Sequence, residues 1–535
     1  MIPLLKKLWP FSFIKKFNKN EILNDGLQGK IPEVQTSVSK SLQKNLNYVN
    51  TVMKNCQDAI VRPFKIGKKP GIPAFVVFLD GLVDRELLEK SVMIPLMVKS
   101  QEENINHFLK NNAFDYIENH LLASTDLKKI SEMERVIQSV CSGSTAIFID
   151  GLNKALIVDY EGYNFRNVEE PEVEPVIRGP REGFTEALRV NNALIRRKIK
   201  SPKLKAEFLE IGSITKTQVG LFYIDGVVNN KILEEARKRI SRINIDGILD
   251  TNYIDELIRD APLCPFPLIH RTEKPDVVAA ELLSGKLAIL VDGSPSALIV
   301  PAVFTEFFIS SEDYYLIFIF SSFTRWIRFL SLLIAVFLPA LYVAVTTYHQ
   351  EMIPTPLAIS IAATREGVPF PTFVEAALMG LVFEILREAG TRMPRTIGQA
   401  VSIVGTLIIG DAAVSAGLTS PPTIIITALT GLAIFTIPAP EMVITLVIIR
   451  FLLLILGAVM GLMGIMLATL ILLSYLASLR SFGVPYLSPL GPLKPRDLQD
   501  SIVRVPWWMM RWRPHLIGSK SKRQPFGQKP GPHKR

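Results

Sequence analysis

Glu375, Glu384 and Arg387 stand in an otherwise apolar stretch, Thr372 to Arg387, with Glu388 just beyond it. An ionisable group at the centre of a membrane helix costs roughly 2.5–3.5 kcal/mol on insertion scales, so such groups face a bundle interior or a water-filled path along which ions can pass. Glu384 lies one helical turn before both Arg387 and Glu388, so an intrahelical arrangement accounts for it as well as a pore-lining role does. Asp411 is the odd residue of another apolar stretch, Ile397 to Gly417. It fits a buried polar contact, an ion path, or an interface near a helix end.

A second concentration of charge holds Arg178, Arg181, Glu182 and Glu186, followed by Arg196 and Arg197. Guanidinium groups at this density suit phosphate or acidic side chains, and a solvated helix end favourable to the macrodipole explains them equally. Asp80, Asp150, Asp225 and Asp292 each precede a glycine and close an apolar run. Asp-Gly after a strand is ordinary turn chemistry, which is preferred here to a catalytic or metal reading. The chain has no P-loop, Rossmann fingerprint, GxSxG or zincin signature. Its six histidines are scattered singly, and Cys56, Cys141 and Cys264 lie far apart without CxxC spacing. Neither pattern suits a metal site or a disulfide framework. The expectation is a protein without catalytic residues, metal or cofactor, and one that is not an enzyme.

These residues must be positioned by two different kinds of structure. Before Asp313 the chain is charge-rich; from Phe329 to Tyr348 it runs for 20 residues without a formal charge, long enough to cross a ~30 Å hydrocarbon layer as a helix. The stretches Thr372 to Arg387, Ile397 to Gly417 and Thr423 to Ile437 follow. Glu441 to Leu479 is too long for one span and should bend near Gly457 to Gly464, giving an even number of crossings. The net charge of the whole chain is +10, and the segment from Arg480 holds twelve Lys or Arg against Asp497 and Asp500, an equal excess. A basic end beside a membrane marks the cytoplasmic side and meets anionic lipid; it does not call for nucleic acid.

The four Asp-Gly phrases also reveal a repeat. Helix-like residues follow Gly81 and Gly226, whereas strand runs, Ala155 to Val158 and Ala297 to Val300, follow Gly151 and Gly293; matched aspartates are 145 and 142 residues apart. The fold class expected is a bilobed cytosolic α+β domain built from a duplicated subdomain, followed by an α-helical polytopic membrane bundle. Its parts are a basic tail (1–30), subdomains 31–168 and 169–312, a transmembrane region (313–480) and a basic, partly disordered cytosolic tail (481–535).

Several phrases are specific enough to name a family: Glu174-Pro175-Val176-Ile177-Arg178-Gly179-Pro180-Arg181-Glu182-Gly183-Phe184-Thr185-Glu186, then Asn192 with Leu194 to Arg197, and Thr272-Glu273-Lys274-Pro275-Asp276. Further on come Leu341-Tyr342-Val343-Ala344, Arg365-Glu366 with Pro369-Phe370-Pro371, and Leu386 to Gly390 with Arg392, Pro394 and Gly398-Gln399. From about Val77 to Pro489 the chain resembles the A subunit of the GerA-type spore germinant receptors. Departures are local: Lys274 replaces the usual arginine, and Ser213-Ile214-Thr215 a more basic turn. The resemblance implies a complex in the spore inner membrane with a transporter-like B subunit and a lipoprotein C subunit. It also implies homo-oligomerisation, transduction of germinant binding into germination, and a role as cation channel or, alternatively, as non-conducting scaffold. On this reading Glu375, Glu384, Arg387 and Asp411 are candidates for the ion path, and Arg178, Arg181, Glu182, Glu186, Arg196 and Arg197 for interface or assembly.

Overall fold

The computed structural model describes residues 37–67, 71–98, 100, 127–160, 174, 178–392, 410–518 and 523. The expected tail 1–30, most of Glu169 to Pro180 and residues 397–409 of the third apolar stretch lie outside the described residues.

Two lobes precede the helices. The first runs α1 (Leu42–Val52), β1 (Ala59–Ile66), β2 (Ile72–Leu79), β3 (Leu127–Ile130), α2 (Met133–Ser142), β4 (Thr145–Ile149) and β5 (Ala155–Val158). The second runs α3 (Leu188–Lys198), β6 (Leu204–Ile211), β7 (Thr217–Ile224), α4 (Asn230–Ser241), α5 (Thr251–Ile258), β8 (His270–Thr272), α6 (Pro275–Ser284), β9 (Leu287–Val291) and β10 (Ala297–Val300). The sheet orders, β1-β2-β4-β5-β3 and β6-β7-β9-β10-β8, are one permutation used twice. Side chains alternate across a strand, so Phe75, Val77 and Leu79 enter one core of the first lobe and Ala74, Val76 and Phe78 another.

Each Asp-Gly phrase ends a strand, and the four glycines sit at φ 76 to 92°, where a Cβ is disfavoured. Three of the aspartates do more than turn the chain: Asp80 pairs with Arg85 at 2.9 Å and Arg189 at 2.7 Å, and the other two hold helix starts. Asp150 Oδ1 accepts the amide of Leu42, the first residue of α1, at 3.1 Å, and Asp292 Oδ1 accepts that of Leu188, the first of α3, at 3.0 Å. Asn45 and Asn191 each clasp the backbone of the residue six positions earlier, Ser39 and Thr185. The duplicated unit thus begins with a helix, which the Asp-Gly phrases alone do not reveal.

The lobes meet where residues 55–57 run beside Ala206, with Gln57 N donating to Ala206 O at 3.0 Å. At this joint Arg196 is buried, placing Nε 2.7 Å and Nη2 2.8 Å from the two oxygens of buried Asp58. Arg196, a candidate for interface or assembly by sequence, is here a buried tie between the lobes; the opposing carboxylate lies 138 positions away in sequence.

After the lobes come α7 (Phe318–Tyr348), α8 (Thr355–Arg365), α9 (Thr372–Arg392), α10 (Pro421–Phe435) and α11 (Pro440–Ser478). α7 and α11 are long and apolar enough to cross a membrane. α8 occupies what reads in sequence as a Pro-rich polar link; Pro356 falls in its first turn, where the missing N–H has no partner to lose. α11 reverses at Gly461, whose φ of 61° and ψ of −145° are closed to side chains. A Cβ on Gly464 would lie 2.5 Å from the carbonyl oxygen of Leu456, although eight residues of continuous helix would separate them by about 12 Å. Both ends of α11 return to one loop of the second lobe: Thr445 Oγ1 donates to Pro265 O and Ser481 Oγ to Leu268 O.

Through Gly518 the carboxyl-terminal segment belongs to the folded body, because Phe482, Val484 and Ile517 complete the core of the second lobe and Val228 bridges to Gly518. Apolar and aromatic residues between the basic ones supply the surface that burial requires.

Candidate functional site at the base of the helices

Ser321, Arg325 and Arg328 share one face of α7 by their spacing of four and three. All three reach Asp313, which sits on a short turn capped by Ser310. Arg325 Nε lies 2.9 Å from Asp313 Oδ2, Arg328 Nη1 2.8 Å from the same oxygen, and Ser321 Oγ donates to Asp313 O. Arg325 Nη1 also donates to Asp500 O at 2.8 Å, and Tyr314 OH to Asp500 Oδ2 at 2.9 Å. Arg504 Nη1 donates to Leu316 O, while Ser322 Oγ donates to Arg504 O. Lobe, first helix and carboxyl-terminal segment are thereby joined by a network of buried charges in which each charged side chain has a partner, while Arg325 Nη2 and Arg504 Nε make no hydrogen bond. Reading α7 from Phe329 leaves both arginines outside the span; the missed signal is a pair of arginines three residues apart, twelve and fifteen positions after Asp313.

Beside this network is a cavity of 590 Å³. Lys286, almost fully buried, lies 2.6 Å from Glu306 and 3.0 Å from Glu281. Burial pushes Glu306 up to about 7 and His270 down to about 4. Glu174 accepts from Thr272 Oγ1 at 2.7 Å, yet burial pushes its carboxyl up to about 7 as well.

The raised Glu174 pKa has a testable sign. An unfolded glutamate titrates near 4.3, so between about 4.3 and 7 the folded state holds more protons and stability falls as pH rises, the full penalty standing above 7. Glu174→Gln is expected to raise the thermal midpoint at about pH 8 and to have little effect at about pH 4.5, as melting curves of both proteins would show. A gain that is larger at the acid pH would contradict this assignment.

The phrases that stand apart in sequence converge here. Thr272 meets Glu174; Phe184 N donates to Glu273 O at 2.8 Å; Tyr315 OH donates to Asp276 Oδ2 at 2.6 Å; and Lys274 Nζ to Ser311 Oγ at 2.7 Å. Gly179, at φ 127°, presses on the Tyr315 ring, where a Cβ would lie 2.7 Å from a ring carbon. Arg178 is exposed and its amide donates to Glu312. Arg181 and Glu186 are exposed, and the Glu186 carbonyl accepts from Gly293 N. Glu182 pairs with Lys198 at 3.1 Å and Arg197 at 3.5 Å.

The ionisable residues of the helices lie elsewhere. Glu375, fully buried, accepts from Ser420 N at 2.9 Å, Ser420 Oγ at 2.8 Å and Thr423 Oγ1 at 3.2 Å, and pairs with Arg365 at 3.3 Å. It caps the start of α10 from a neighbouring helix. Glu384 pairs with Arg387 at 2.8 Å, as its spacing allows, and with Arg450 at 2.7 Å. Asp411 is exposed. Among the described residues no cluster of His, Cys, Asp or Glu is arranged to hold a metal ion.

Residues 47–516 match the family model described as Bacillus/Clostridium GerA spore germination protein. The chain is 44% identical over 496 residues to Spore germination protein KA of Bacillus subtilis (strain 168), covering 92% of this chain and 90% of that one. It is 39% identical over 445 residues to Spore germination protein GerLA of Bacillus cereus, covering 83% of this chain and 89% of that one. The crystal structure of the N-terminal domain of the A subunit of the Bacillus megaterium spore germinant receptor GerK3 aligns at 34% identity and a TM-score of 0.41, covering 51% of this chain and 99% of that one.

Proposed function

Because the chain belongs to the GerA family of spore germination proteins, as a germinant-receptor A subunit, we propose that it lies in the spore inner membrane and converts germinant binding into germination. Its partners are a transporter-like B subunit and a lipoprotein C subunit. The observation that carries the reading is the meeting of the two motif-bearing loops, α7 and the carboxyl-terminal segment at the Asp313 network. A shift of the lobes against that network moves the helices with them.

Six crossings fit the helix contacts. α7 leaves the lobes; α9 returns, since Ala376 packs on Val343 far along α7 whereas Phe383 meets Phe435. α10 runs in the same sense as α9, since Glu375 caps its start and Phe383 meets Phe435 at its end, and the arms of α11 go out and back around Gly461. Lobes and carboxyl-terminal segment then share the cytoplasmic, core-facing side. With single cysteines in a cysteine-free background, Cys at Leu263, 99% exposed in the lobe loop, and Cys at Met460, beside the reversal, should label with an impermeant maleimide from opposite faces. Labelling from the same face would refute the crossing pattern.

Conduction would be the property of an oligomer. Glu375 and Glu384 have internal partners, so of the ion-path candidates Asp411, exposed on the helices, is the carboxylate we assign to a cation path between protomers. The internal pairing of Glu375 and Glu384 equally favours a second reading, in which the subunit is a scaffold that clusters the receptor and passes no ions.

A further inference from the structure

The cavity at the base of the helices has a composition that the junction itself does not require. Its walls carry the carboxylates of Glu174, Asp276, Glu281, Glu306, Asp497 and Asp500, six in all. The fixed cations on the same walls are three, Lys274, Lys286 and Arg523. Arg325 pairs with Asp500, which leaves an excess of two negative charges with all six carboxylates ionised, and of about one near pH 7, where Glu174 and Glu306 are each about half protonated. Uncompensated buried charge of one sign is costly, and proteins relieve it with a counter-charge or a proton.

Three buried polar atoms on the walls make no hydrogen bond; Lys286 Nζ is held by its ion pairs with Glu281 and Glu306, and the other two have no such partner. Asp276, with its side chain 7% exposed, spends Oδ2 on Tyr315 while Oδ1 has no hydrogen bond. His270 Nδ1 is likewise unpartnered. Nearly every buried polar atom in a native protein finds a partner in protein, water or ligand. Between these groups lie apolar surfaces from Ile309, Ile437 and Trp507. A volume of 590 Å³ is within the range of small-molecule sites, roughly 300–1,000 Å³.

We propose that this cavity binds a small organic cation bearing a primary ammonium group, whose N–H donors are taken by Asp276 Oδ1 and the Glu281 carboxylate and whose apolar body lies along Ile437 and Trp507. Asp276 Oδ1, an acceptor in want of a donor, selects the ammonium, and Glu281, already paired with Lys286, adds charge beside it; the surplus negative charge disfavours an anion; the apolar wall favours an alkyl body over a bare metal ion. The site does not depend on whether the protein conducts ions, and it borders the Asp313 network, with which it shares Tyr314 and Asp500.

The test is ligand-observed saturation-transfer NMR on the full chain in nanodiscs, using n-butylammonium as probe and 1-butanol as its neutral counterpart of the same shape. Salt of about 0.3 M screens exposed charges and spares a buried pair. Saturable binding of n-butylammonium is expected, at least tenfold tighter than that of 1-butanol and weakened about tenfold by Asp276→Asn and by Glu281→Gln. Equal binding of the two probes would show an apolar cavity only, and full binding by both variants would place the cation at the surface; either result overturns the proposal, as does the absence of saturable binding. Should Asp276→Asn fail to fold, Glu281→Gln and the neutral probe still decide.

Discussion

Asp313→Ala is expected to destabilise the base of α7 by about 3–5 kcal/mol, the cost of removing one partner from a buried charge cluster. The aspartate is 1% exposed and accepts from both Arg325, which is 0% exposed, and Arg328. Without it, two guanidinium groups are left with the single carboxylate of Asp500, which is already hydrogen-bonded to Tyr314. Trp507 and Trp508 pack on Tyr314 and Phe318, so tryptophan fluorescence reports this region directly. The fluorescence melting midpoint should fall by about 5 °C or more. Asp313→Asn, which keeps an acceptor and the shape, should fall less. A change below about 1 kcal/mol for the alanine variant would mean that the network carries no load.

Arg196→Ala is expected to open the joint between the lobes. It strands Asp58 in a buried site whose remaining side-chain donor is Asn192, at 3.2 Å, again a loss of about 3–5 kcal/mol. Cys56 lies in that joint, with Sγ 3.5 Å from Leu204 O, and all three cysteines are buried. Maleimide labelling of Cys56 therefore measures opening, and its rate should rise on the order of 100-fold in the variant, as a local opening free energy reduced by about 3 kcal/mol requires. Cys264, in another core cluster, serves as the internal control. Replacing both partners with apolar residues, Arg196→Met with Asp58→Leu, should return the rate most of the way, since a buried pair often exchanges for apolar packing without loss. An unchanged rate in Arg196→Ala would contradict the assignment of this pair as the tie between lobes.

Much of the architecture is legible in local pattern. The Asp-Gly turns and the strands Ala155–Val158 and Ala297–Val300 declare themselves by turn chemistry and period, and Gly457 to Gly464 marks the place where α11 reverses. What escapes is pairing over distance. Arg196 and Asp58, Glu375 and Ser420, Arg325 and Asp500 each need the fold before they become neighbours. At the carboxyl terminus a high count of basic residues conceals Phe482, Val484, Tyr486 and Ile517, all buried. The same lesson applies to the ion-path candidates. Glu384 in isolation looks like a pore residue, but the fold sets it against Arg450 and Arg387, so Glu384→Ala alone would confound conduction with the stability of the helix packing.

Cation flux through the purified full chain reconstituted in liposomes decides between conduction and the scaffold. Potassium flux is expected, strongly reduced by Asp411→Asn and retained in the charge-neutral pair Glu384→Gln with Arg450→Gln. A stable oligomer that passes no ions, with or without its B and C partners, would contradict conduction and leave the scaffold reading in its place.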